Sequence, residues 1–140
     1  MQLTSGAYAS YVSLAVNSAG TAVAVWTGTN GLAGATRPAG GVWSPAVTID
    51  PAADIYPGAG LAANGTSTFM AWDNLTPVPR PVNGSTWTPG GGWTGPTTLD
   101  RLSSADGYTA TSVARLGQGA LATWANTGAS QATIRVSIAG

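Results

Sequence analysis

Two carboxylate–phenol pairs stand out in the sequence, Asp54/Tyr56 in "ADIY" and Asp106/Tyr108 in "ADGY". Asp73 and Asn74 follow an alternating apolar run, and Trp87 lies in "STWTPGG". Carboxylate, amide and phenol can orient hydroxyls by hydrogen bonding. An indole face can stack on the C–H face of a sugar. Asp54, Tyr56, Asp73, Asn74, Trp87, Asp106 and Tyr108 are therefore the candidate ligand-binding residues, and the chemistry they suit is recognition of a neutral polyol. The simpler assignment is that Asp and Asn satisfy turn backbone donors while Tyr packs between units. Glycoside hydrolysis needs two carboxylates about 5–10 Å apart in a cleft. Nothing in the spacing of Asp54, Asp73 and Asp106 demands such a pair, so the chain is expected not to be an enzyme.

Composition narrows the chemistry further. The 140 residues suffice for one domain with a core. Lys, Glu, His and Cys are absent, and five Arg balance five Asp. A neutral chain lacks the basic face that captures nucleic acid. Without Cys or His there is no disulfide framework, no thiolate and no imidazole base or ligand. No loop carries enough carboxylates for calcium, and the glycine-rich stretches lack the Lys of a phosphate loop. No cofactor or metal is expected. The N-terminal stretch has no basic region before an apolar run, so neither a signal peptide nor a membrane span is expected.

The elements that must position these residues come from a repeat. "LAGATRPAGGVW" (32–43) aligns without gaps on "VNGSTWTPGGGW" (82–93), and "SPAVTID" then matches "TGPTTLD", pairing Asp50 with Asp100. Trp26, Trp72 and Trp124 each end an alternating run that follows a glycine turn, 46 and 52 residues apart. Alternation with tight turns reads as β-hairpins. Each unit reads as four short strands: 11–17, 21–27, 32–37 and 43–49; then 58–63, 67–73, 82–87 and 93–99; then 109–116, 120–125 and 132–138. The third unit lacks a fourth strand. "QLTSGAYASY" (2–11) aligns on "VTIDPAADIY" (47–56), which places Gln2 to Thr4 where that strand should be. One domain over 1–140 is expected, with a closing strand at 1–5 and units at 8–50, 51–100 and 101–140. Trp26, Trp72 and Trp124 are expected to pack between units. Trp87 stands where the first unit has Arg37, and "LTPVPRPVNG" lengthens the second unit's loop.

"NSAGTAVAVW" followed by "ATRPAGGVWSPAVTID" resembles the blade repeat of bacterial, especially actinobacterial, extracellular β-propellers of the broad sialidase-like or WD40-like kind. The resemblance covers nearly the whole chain. It implies an all-β fold of four-stranded antiparallel blades, with binding, scaffolding and enzymatic members alike. The sialidase Asp-box (Ser-x-Asp-x-Gly-x-x-Trp) is absent. Three blades do not close a ring, so a homodimer forming a six-bladed propeller is expected. A β-trefoil, which closes as a monomer, is the alternative. The expected role is a lectin-like, carbohydrate-binding module, extracellular or on a cell or virion surface. A structural assembly subunit is the alternative, and a glycoside hydrolase comes third.

Overall fold

The computed structural model describes residues 3, 8–55, 58–102, 111–117, 119–127 and 132–139. These residues contain strands and turns and no helix. No helix among them is long and apolar enough to cross a membrane. Twelve strands run in chain order: β1 Ala9–Val16, β2 Ala22–Gly28, β3 Gly31–Arg37, β4 Val47–Asp50, β5 Gly60–Asn64, β6 Ser67–Asp73, β7 Arg80–Thr88, β8 Gly92–Trp93, β9 Thr97–Leu102, β10 Thr111–Leu116, β11 Gly119–Thr127 and β12 Ala132–Ala139. They form three antiparallel sheets. The first is β1-β2-β3-β4, the second is β5-β6-β7 with β8 and β9 both paired to β7, and the third is β10-β11-β12. The described strands close into neither a barrel nor a ring.

The fourth strands differ from expectation. In the first sheet the strand begins at Val47 rather than at Trp43, because Pro45 cannot donate to a ladder. In the second sheet the expected strand 93–99 is split, and the break spans Thr94 to Pro96. Gln2 and Thr4 lie outside the described residues.

Neighbouring sheets pack face to face because the second strands of the first two sheets are buried on both sides, β2 and β6 alike. Val25, Leu32 and Ile49 of the first sheet meet Met70 and Trp72 of the second in one buried cluster. Phe69, Ala71 and Val82, on the other face of the second sheet, meet Ala120, Ala122 and Trp124 of the third. A smaller cluster on the outer face of the first sheet holds Ala24, Trp26 and Ala35, with Leu3 and Trp43 packed against it.

The first strands of the sheets lie side by side, with β5 between β1 and β10. The Ser13 hydroxyl donates to the Ala59 carbonyl at 2.6 Å, and Thr111 donates to the Ala71 carbonyl at 3.3 Å. A Cβ at Gly60 would lie 3.0–3.2 Å from Val113 and the Thr111 carbonyl, so this approach favours glycine. Asn17 joins two hairpin turns. Its side-chain oxygen accepts from the Ala19 and Thr21 amides, its side-chain nitrogen donates to the Thr66 carbonyl, and the Ser18 amide reaches Gly65 at 2.9 Å.

Candidate functional site

The connections leaving the fourth and second strands emerge together. The Leu75 amide donates to the Asp54 carbonyl at 2.8 Å, and Ile55 forms a bridge with Asn74. This zips segment 51–55 to the loop after β6. Beside it lie the start of β1 and the β2–β3 turn of the first sheet. Together they enclose an open cavity of about 610 Å³. That size falls within the range of about 300–1,000 Å³ typical of small-molecule sites.

Three short segments supply its polar groups. The start of β1 brings Tyr8, Ser10 and Tyr11; the β2–β3 turn brings Thr27 and Thr29; the connecting segment brings Asp54. Tyr8 and Asp54 are exposed, and the Tyr8 side chain is 67% accessible. Ser10 and Thr27 are cross-strand partners, and both hydroxyls are buried with no hydrogen-bond partner among the described residues. A buried hydroxyl without a partner is costly, and a ligand hydroxyl or a water can satisfy it.

The backbone here is shaped for the cavity. The β1–β2 register slips between Ser10 and Ser13, and Tyr11 within the slip takes φ 52°. A non-glycine residue held in this region costs about 1–3 kcal/mol and is common at binding sites. Gly58 supports it at φ 123°, where a Cβ would stand 2.8 Å from the Tyr11 Cβ.

Of the candidate residues, Asp54 lines the cavity. Asp73 and Asn74 are interior, 2% and 4% exposed, and line no part of it. Asp73 forms a buried ion pair with Arg80 across the Pro-rich loop. Asn74 donates to Asp50 at 3.3 Å. Trp87 lies at the outer rim, opposite Trp93 across the β7–β8 pair. Tyr56, Asp106 and Tyr108 lie outside the described residues.

Sequence reasoning missed Tyr8, Ser10, Tyr11 and Thr27. Tyr11 had a signal, since it aligns with Tyr56 and Tyr108 but lacks the preceding Asp. Asp50 and Asp100, matched by the repeat, prove structural. Asp50 accepts the Trp72 indole N–H at 3.2 Å, and Asp100 accepts that of Trp124 at 2.9 Å. Each carboxylate thus anchors the tryptophan of the following sheet.

Among the described residues, Asp54 is the one carboxylate lining the cavity, and no group of three or more carboxylates could hold a metal. The arrangement offers a carboxylate acceptor, two phenols and several hydroxyls around an open hollow, a set suited to orienting a hydroxyl-rich neutral ligand. The chain matches no protein-family profile, no curated protein and no solved structure.

Proposed function

We propose that this chain is a non-enzymatic, carbohydrate-binding module, and that its three sheets are blades of a β-propeller closed into a six-bladed ring by a second copy. The observation that carries the binding role is the loop-face cavity, where the Tyr8 and Tyr11 rings stand beside Asp54 and two unpartnered hydroxyls.

The ring rests on the two outward faces of the described stack. Trp72 and Trp124 are each covered by the preceding sheet. Trp26 holds the same place in the first sheet, where it is 6% exposed and covered by Leu3 and Trp43 rather than by another described sheet. Leu3 packs on the Trp26 cluster much as Ile49 packs with Trp72 and Leu99 against the Trp124 cluster. That is the seat a closing fourth strand would take. At the far end, the face of the third sheet opposite Trp124 leaves Ile134 79% and Val136 55% exposed. The corresponding faces of the other two sheets are the ones that cover a following tryptophan. Joining the far end of one copy to the near end of another repeats a contact the chain already makes twice, and two-fold symmetry satisfies both joints.

Light scattering after gel filtration tests the ring: a species of twice 13.8 kDa is expected, and a stable 13.8 kDa monomer would rule the ring out. A glycan array tests the ligand. Tyr8→Ala and Asp54→Ala, both at exposed positions, should each lower array binding at least tenfold while leaving the assembly intact. A ring that forms but binds no glycan would favour the structural-subunit reading.

A further inference from the structure

At the outer rim, on the side of the first two sheets away from the loop cavity, a second groove opens. Trp87 and Trp93 form one wall, and Thr36, Ser44 and Thr48 stand in the other, around a volume of about 330 Å³. We infer that this rim groove is a second binding site, for a single neutral pyranoside ring stacked on the Trp87–Trp93 pair. It shares the ligand class of the proposed function and does not depend on the loop cavity or on the ring.

The repeat itself sets this place apart. Trp93 has a counterpart in Trp43, but Trp87 stands where the first sheet carries Arg37. Arg37 is exposed, and its Nε donates to the Gly41 carbonyl at 2.9 Å. The paired indoles therefore occur once in the chain. Packing between sheets does not require them, because the first sheet completes the same β-structure with an arginine.

A donor is also unspent. The indole N–H groups of Trp72 and Trp124 each reach a carboxylate. Trp93 Nε1 is buried and has no hydrogen-bond partner among the described residues. The Thr48 side chain is exposed at the mouth, and Thr36 is half-buried deeper in. No charged side chain lines the groove. Two indoles and neighbouring hydroxyls match a ring with an apolar C–H face and polar equatorial edges. A charged ligand would find no counter-charge.

Both walls are braced before any ligand arrives. Ser44 donates its amide to the Thr36 carbonyl at 2.7 Å, and its hydroxyl accepts the Thr36 amide at 3.1 Å. Thr94 repeats the brace: its amide meets the Thr86 carbonyl at 2.9 Å, and its hydroxyl accepts the Thr86 amide at 3.0 Å. Ser85 adds a bond to the Thr94 carbonyl at 2.7 Å. A preformed wall spares the ordering cost that weakens small-ligand binding.

Saturation-transfer NMR on the full chain tests the site, with methyl β-D-glucopyranoside, methyl β-D-galactopyranoside and methyl α-D-mannopyranoside as probes. At least one should receive saturation on the protons of one ring face and quench tryptophan fluorescence. Trp87→Arg installs the residue type the first unit carries at this place, so it should fold, and it should raise Kd at least tenfold. Thr48→Arg, at an exposed position, should block the mouth with the same effect. No transfer to any of the three glycosides overturns the proposal, as does undiminished transfer in folded Trp87→Arg and Thr48→Arg. Binding lost only in the Asp54 and Tyr8 variants overturns the groove and keeps the loop site. Quenching lost in the Trp87 and Thr48 variants keeps the groove, since no tryptophan lines the loop cavity; the loop site is decided separately, by the glycan array.

Discussion

Asp50 holds three donors at once, the Ala52 amide, the Trp72 indole and the Asn74 side chain. Truncating it to Ala strands two buried side-chain donors, each costing about 1–3 kcal/mol when left unsatisfied. Asp50→Ala should therefore lower unfolding free energy by at least about 2 kcal/mol, read from urea titration. Trp72→Phe should cost less in that background than in the native chain, because the two residues share one bond. Trp72→Ala should cost about 3–5 kcal/mol, as for other buried aromatics. The sequence made part of this legible: the spacing of Trp26, Trp72 and Trp124 implied packing between units, and Asp50 aligned with Asp100. The link between the two series was hidden. Carboxylate and indole lie 22 or 24 residues apart, and only the stacking of one sheet on the next brings them together.

The Pro-rich loop shows how an element is tied at its base. Its two ends carry Asp73 and Arg80, whose side chains are 2% and 11% exposed and form an ion pair. Removing one partner of a buried pair costs about 3–5 kcal/mol, whereas replacing both with apolar residues of similar size is often tolerated. Arg80→Met alone should thus destabilise far more than Asp73→Leu with Arg80→Met, measured by thermal unfolding. In "DNLTPVPRPV" nothing in the seven-residue separation marks an ion pair, and Asp73 entered the candidate site as a carboxylate able to orient hydroxyls. The hairpin closure that buries both is a tertiary event. Strand identity was easier to read: β6 spans Ser67–Asp73 as the alternation indicates. The fourth strands were misjudged, in the first sheet at its start near Pro45 and in the second by a break that ends at Pro96. Gly58→Ala belongs to this scale too. It places a side chain against Tyr11 at a φ that L-residues avoid. It should cost about 1–3 kcal/mol and weaken glycan binding at the loop cavity more than at the rim.

At the scale of the molecule, the two ends of the stack decide behaviour in solution. A second copy that covers Ile134 and Val136 would make the melting temperature rise with protein concentration. Ile134→Asp with Val136→Asp should remove that dependence and give a 13.8 kDa species on gel filtration, since the charges fall on an exposed face that the single chain does not bury. The three antiparallel sheets were legible because their turns and tryptophans recur. Their stacking follows from second strands that are buried on both sides, as β6 is.

The indole–carboxylate joint has a direction: the first and second sheets each offer a carboxylate forward, and the second and third each offer an indole backward. A unit copied in tandem would arrive with both halves already in place, one to receive its predecessor and one to hold its successor. Gene duplication could therefore lengthen such a chain without any new interface having to be invented. A single point mutation in one copy would loosen only the joint it touches. Drift can then proceed unevenly among the copies, and the arginine at one rim facing a tryptophan at the next is the kind of divergence that such a joint permits.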